Sequence, residues 1–239
     1  MKEVLISSLL LLGALLSAHA QETVSYVPEP EPYVELNYPS FRFTARAGLG
    51  FRAGKIPSNL SADQKDYLKG LLRGFSFGAD ATWFFNREYG VGIKFNSLHS
   101  ASRQENATME IDGVMRTGLK EDKIDIWFLG PVFALRAALN SKSTAYVSIG
   151  LGYLGYNDEM TRIAPISVTG GTLGQAADLG YEYRLTEGLS LGAEFSIYRG
   201  VLTKLKGSAN GRSEEYTLEK DERENLSNLN LQLCLRYSF

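Results

Sequence analysis

The stretch LNLQLCLRYSF alternates without a break. Leu229, Leu231, Leu233, Leu235, Tyr237 and Phe239 are large and apolar, while Asn230, Gln232, Cys234, Arg236 and Ser238 are polar or small. Side chains alternate across a strand with a period of two residues, so this pattern predicts a strand with one apolar and one polar face. The same period returns in FRFTARAGLGF from Phe41, FSFGADATWFF from Phe75, YGVGIKFNS from Tyr89, AYVSIGLGY from Ala145, ADLGYEYR from Ala177 and LSLGAEFSIY from Leu189. An eighth segment, DIWFLGPVFALRAAL from Asp125, loses phase around Gly130-Pro131. Proline cannot donate to a ladder, so a β-bulge is expected there.

The connections alternate in length. Long ones fall at about 53–72, 103–122, 157–171 and 202–223, and short ones at 86–88, 140–143 and 186–188. Tight turns at one end and long loops at the other are the rhythm of an up-and-down barrel. The expected fold is therefore all-β: an eight-stranded antiparallel up-and-down β-barrel over residues 41–239.

Period alone does not say which face meets solvent. A lipocalin-like soluble barrel would hold the apolar set inside, and a membrane barrel would turn it outward. Three features favour the membrane. The polar face is rich in glycine, serine and charges of both signs, which suits a narrow lumen. Trp83, Phe85, Tyr89, Tyr181, Tyr183, Tyr237 and Phe239 collect near the short-turn ends, as in an interfacial girdle. The apolar sets also match tilted spanning strands of about 9–11 residues. On this reading the fold is a transmembrane barrel. Its lumen then receives Arg42, Arg46, Asp80, Lys94, Arg136, Asp178, Glu182, Arg184, Glu194 and Arg236, expected to pair with one another because an unpaired buried charge is costly.

The start of the chain reads as a secretory signal over residues 1–20. Leu9 to Leu16 is a short apolar run, and Ala18-His19-Ala20 before Gln21 suits a small-residue cleavage site. Residues 21–40 include VPEPEPYVELNYPS, whose prolines and glutamates favour an extended periplasmic lead-in. After Gln21 no apolar run approaches the roughly 20 residues of a membrane-spanning helix.

Composition narrows the chemistry. The net charge of −2 gives no reason to expect nucleic acid. One cysteine, Cys234, allows no internal disulfide and no multi-cysteine metal site. Beyond the leader the only histidine is His99. No cofactor is expected.

LCLRYSF, an alternating last strand closing on phenylalanine, resembles the terminal signature of bacterial outer-membrane barrels. With the leader, eight strands and four long connections, the chain is similar to the small OmpA/OmpX-type barrels over residues 41–239. The resemblance implies an outer-membrane location, surrounding lipid and lipopolysaccharide, and reading of Tyr237 and Phe239 by the barrel-assembly machinery. Because the chain stops with this last strand, no downstream peptidoglycan-binding domain is expected, and Phe239 is expected to end the chain because it ends the barrel. The function expected is structural or surface-interacting through four extracellular loops, with a side-chain-plugged lumen and no enzymatic activity. A narrow porin-like channel and a lipid-modifying enzyme are the alternatives.

Five further motifs stand out along the chain. GLGYLG at 150–155 matches a dinucleotide fingerprint but lies within a strand, where glycines facing a crowded lumen suffice. LHSAS sets His99 beside Ser100 and Ser102. Lipid A deacylases resemble this in using histidine, serine and an acid, but Ala101 holds the place their serine would take. SADQKDYLKGLL has capping-box spacing from Ser61 to Gln64 and puts Tyr67, Leu68, Leu71 and Leu72 on one face, predicting a loop helix on the membrane surface or over the barrel mouth. Asn157-Asp158-Glu159 is too small a set for calcium, and EKDERE at 219–224 reads as a solvated loop or strand end.

Overall fold

A computed structural model describes residues 39–54, 56–111, 114–162, 164–209 and 212–239. The leader, and the lead-in up to residue 38, lie outside the described residues. Eight long strands dominate: β1 (Phe41–Arg52), β2 (Arg73–Phe84), β3 (Tyr89–Ile111), β4 (Val114–Ala138), β5 (Ser143–Arg162), β6 (Ala164–Arg184), β7 (Leu189–Arg199) and, after four short strands, β12 (Asn228–Ser238). Consecutive strands pair antiparallel from β1 to β7. β12 then pairs with both β7 and β1, so the eight form a ring. At the level of the ring each ladder joins residues of like parity, such as Arg46 with Cys234 and Lys94 with Gly130. One phase therefore runs round the ring: even-numbered side chains point inward and odd-numbered ones outward.

The apolar face is the outer one. On β12, Leu231 and Leu233 are 59% and 67% exposed, whereas Gln232 and Arg236 are 2% and 0% exposed. A soluble barrel would show the reverse. The aromatic set at the short-turn end is exposed and its rings are in contact: Trp83 meets Phe85 edge-on at 6.2 Å and Tyr237 meets Phe239 at a tilt, 5.9 Å between ring centroids. Phe239 stacks on Phe41 and exchanges two backbone hydrogen bonds of 3.0 Å with it. The three short turns stand where expected. In two of them an asparagine closes the turn, Asn86 Oδ1 accepting from the amides of Glu88 and Tyr89, and Asn140 Oδ1 from those of Lys142 and Ser143.

Two expectations are corrected. Gly130-Pro131 carries no bulge, since β4 keeps its register with β5 from Leu129↔Tyr153 to Val132↔Gly150. The phase seemed lost because Ile124, Ile126 and Phe128 are inward and apolar, while Trp127 and Leu129 are outward and apolar. Both faces of this strand are hydrophobic. The shift in register lies instead in β3, between Gln104 and Ala107.

The long connections at 103–122 and 157–171 are mostly strand. β3 and β4 stay paired out to Ile111↔Val114, and β5 and β6 out to Arg162↔Ala164. The last connection holds β8 (Val201–Leu202), β9 (Lys204–Ala209), β10 (Arg212–Thr217) and β11 (Glu224–Asn225). β9 adds to the edge of β6 and β10 to β9, while β8 pairs with β11. Helix α1 (Ala62–Leu71) forms in the first connection, with the expected capping box between Ser61 and Gln64.

Candidate functional site

The lumen is the candidate site, and it is filled in three layers. The first, toward the short turns, is ionic. Glu194 of β7 is its centre. Its Oε1 lies 3.0 Å from Arg46 Nη1 and 3.0 Å from Lys94 Nζ, its Oε2 lies 3.1 Å from Arg236 Nη2, and its side chain has no solvent exposure. Ser196 Oγ donates to Oε1 at 3.0 Å. Arg46 also contacts Asp80, which accepts from Thr44 Oγ1 and Thr82 Oγ1. Lys94 reaches Asp178, which accepts from Ser148 Oγ as well. Glu182 lies 3.3 Å from Arg236 and 3.9 Å from Arg42. Four cations, Arg42, Arg46, Lys94 and Arg236, thus face four carboxylates, Asp80, Asp178, Glu182 and Glu194. The local charge closes to zero, which suits groups withdrawn from water.

Arg42 and Arg236 are like charges at close quarters, and Tyr146 stands with both. Its ring centroid is 4.7 Å from the Arg42 guanidinium carbon and 4.1 Å from that of Arg236. Gly180 makes room for that ring, because a Cβ there would collide with Tyr146. Gly192 does the same for Arg236.

Two of the ten expected charges lie apart from this cluster. Arg136 is buried nearer the short turns, donating to the carbonyls of Arg87 at 2.8 Å and Pro39 at 3.1 Å, with its guanidinium carbon 3.8 Å from the Phe84 ring centroid. Arg184 is half-buried at the same mouth and lines a recess with Lys142 and Glu187. Both have the inward phase, but their height along the barrel places them beyond the belt.

The second layer is neutral and polar. Gln232 Nε2 donates to Ser76 Oγ and to Asn96 Oδ1, both at 3.0 Å, and Asn96 Nδ2 donates to Ser76 Oγ at 3.1 Å. The third layer is apolar, and sequence reasoning missed it. Ile124, Ile126 and Phe128 of β4, Leu154 and Tyr156 of β5, and Tyr198 of β7 meet Leu202 and Leu226 from the last connection. Phe128 and Tyr198 lie 5.4 Å apart, and Lys94 Nζ stands 5.5 Å from the Tyr198 ring, joining this layer to the ionic one. From outside, α1 inserts Tyr67 and Leu71 into the same cluster, with Lys120 Nζ over the Tyr67 ring at 4.4 Å. The helix therefore sits over the barrel mouth. The signal for this layer was the doubly apolar run IDIWFL.

The other motifs do not assemble. His99 Nδ1 lies 2.9 Å from Asp125 Oδ1 on the outward face, whereas Ser100 is buried on the inward face. Asp158 is likewise inward and accepts from Tyr156 at 3.2 Å, while its neighbour Glu159 is outward and exposed. GLGYLG remains strand throughout. Glu224, the last residue of EKDERE, holds Arg52 at 2.9 Å.

A ring of eight antiparallel strands with an apolar exterior and a polar, charge-bearing interior defines a barrel of the outer-membrane type. The chain belongs to the outer membrane protein beta-barrel domain family, whose model matches residues 8–239. No curated protein matches the sequence. Among solved structures it is similar to the outer membrane protein OprG from Pseudomonas aeruginosa, at 12% identity and a TM-score of 0.54, over 85% of this chain and 98% of that one. It is also similar to the Neisserial surface protein A, at 14% identity and a TM-score of 0.50, over 84% and 97%. At these identities the likeness is one of fold.

Proposed function

We propose that the protein is a non-conducting, non-catalytic outer-membrane barrel that acts as a structural and surface-interaction element through its long-arm end. The observation that carries this reading is the lumen: a charge-balanced belt centred on Glu194, followed by a packed apolar layer sealed by α1. Either layer alone would obstruct a pore of eight strands, whose interior side chains just fill. Each carboxylate of the belt is held by at least one cation, and His99 and Ser100 face opposite sides of the wall. Both facts support a structural role over acid–base chemistry.

On this reading residues 1–20 direct export, residues 21–40 lead in from the periplasm, and the short turns are periplasmic. The arms of β3–β6, the β9–β10 hairpin and α1 face outward from the cell. Outer-membrane lipid and lipopolysaccharide surround the apolar band. Tyr237 and Phe239, at the seam between β12 and β1, are the residues the barrel-assembly machinery would read. Proteoliposome swelling in a small sugar tests the filled lumen. The expected result is uptake no faster than in protein-free vesicles, and porin-like swelling would replace this reading with a channel.

A further inference from the structure

The outward face of β4 and β5 changes character at one level. Leu129 and Leu151 lie exposed in the apolar band below it. His99, Asp125 and Asn157 form a polar row above it, opposite one another across β3, β4 and β5. Between band and row lie two aromatic rings, Trp127 and Tyr153, with centroids 5.2 Å apart and planes tilted by 43°.

Glycine lets both rings lie along the sheet. Gly155 is the ladder partner of Trp127, and Gly171 is the partner of Gly155 on β6. A Cβ on Gly155 would collide with the Trp127 indole, and one on Gly171 with the hydroxyl end of Tyr153. Each ring therefore covers a glycine, and Tyr153 is still 49% exposed. Trp83, at the short-turn end, differs. Its ladder partners are Phe41 and Val91, so it has no glycine to lie on.

The polar row has bonding capacity to spare. His99 Nδ1 and Asp125 Oδ1 lie 2.9 Å apart, but His99 Nε2, Asp125 Oδ2 and the Asn157 amide have no hydrogen-bond partner among the described residues. All three residues reach the outer surface.

We infer that this surface is a docking site for the neutral sugar headgroup of a glycolipid. It rests on the surface-interaction reading above and names a ligand class for it. A sugar ring carries a face of C–H groups and a rim of hydroxyls. The C–H face suits an aromatic platform, and the hydroxyls suit a carboxylate, an amide and an imidazole, which between them accept and donate. The apolar band directly below takes the acyl chains, so the sugar is one anchored in the membrane. Charge selects a neutral headgroup. Arg103 and Lys123, above the row, are already paired with Glu105 at 2.9 Å and Glu121 at 3.6 Å. Arg73 is the unpaired cation nearby, and it faces Asp125 and Glu159 on the same outer surface. No cationic excess is left to select a phosphate.

The test uses the full barrel in phosphatidylcholine nanodiscs doped with equal amounts of monogalactosyl diacylglycerol and phosphatidylglycerol, and native mass spectrometry counts the lipid retained per barrel. The galactosyl lipid should be retained about fivefold or more over phosphatidylglycerol. Trp127→Ala and Asn157→Ala should each lose most of that preference and Trp83→Ala should keep it, with heat-modifiable gel mobility confirming the fold of each variant. Asn157→Ala, at the rim of the site, carries the test should Trp127→Ala not fold. Equal retention of the two lipids, or equal losses in Trp127→Ala and Trp83→Ala, would reduce the rings to a general interfacial girdle and overturn the site. Displacement by soluble methyl β-galactoside at the concentration of the lipid itself would overturn the membrane source. These outcomes leave the wider surface-interaction reading standing, which porin-like swelling of proteoliposomes would fail by an independent route.

Discussion

Glu194 and Arg236 stand on neighbouring strands, offset diagonally, and meet at 3.1 Å with neither side chain reaching solvent. Glu194 is also the shared acceptor of Arg46 and Lys94, so three cations depend on one carboxylate. Glu194→Ala leaves those charges under-compensated in a site water does not reach. It should destabilise the barrel by about 3–5 kcal/mol, measured by reversible urea unfolding into lipid vesicles. A loss under about 1 kcal/mol, the range of solvated surface pairs, would mean that water reaches the belt.

The lipid-facing phase has its own test at Leu231, which is 59% exposed at the outer surface of β12. Leu231→Arg should cost about 2–4 kcal/mol if the site lies near the bilayer midplane. Leu231→Phe should be nearly neutral in the same unfolding assay. Equal costs would place this face out of contact with hydrocarbon.

Within the apolar layer, Phe128 is 1% exposed and packed on Tyr198. Phe128→Ala should cost about 3–5 kcal/mol through lost burial and the cavity left behind. A shift near zero in the unfolding midpoint would show the layer to be loosely packed.

Helix α1 begins on a reciprocal cap, Ser61 Oγ accepting from the Gln64 amide and Gln64 Oε1 from the Ser61 amide. Ser61→Ala should weaken the helix by about 1 kcal/mol. Hydrogen exchange should quicken in α1 and leave the strands unchanged, since the ring does not rest on this helix. Slowed or unaltered exchange in α1 would count against the cap.

Orientation is open to cysteine labelling on intact cells. Ser213→Cys, on β10, should label from outside, and Glu187→Cys, in a short turn, should not. Cys234 is 1% exposed and inward, so it contributes no background. Labelling at Glu187 would invert the topology.

Most of the ring was legible in the sequence because it rests on one short-range rule. An alternating strand needs only its own residues to show its two faces, and glycine, serine and paired charge on the polar face identified the lumen. Height along the barrel was not legible. Arg136 and Arg184 share the inward phase with Arg236, yet only the register places Arg236 in the belt and the other two at the mouth. The apolar layer was hidden for a related reason. Ile126 and Phe128 face inward beside outward Trp127 and Leu129, so the alternation vanishes where both faces are hydrophobic. The arms were passed over as loops because their alternation is weak. In the sequence, Asp112-Gly113 and Asn210-Gly211 are dipeptides of the kind that favours two-residue hairpin turns, a signal the loop reading did not use. Those four residues lie outside the described residues, but the strands on either side of each pair are joined in register.

Single-channel recording in planar bilayers tests the filled lumen most directly. The wild-type protein should show no conductance above the bare membrane. Glu194→Ala should remain closed as well, because Phe128, Leu154 and Tyr198 still block the path beyond the ionic belt, while Glu194→Ala combined with Phe128→Ala should open a small conductance. Steady porin-like conductance through the wild-type barrel would contradict the filled lumen.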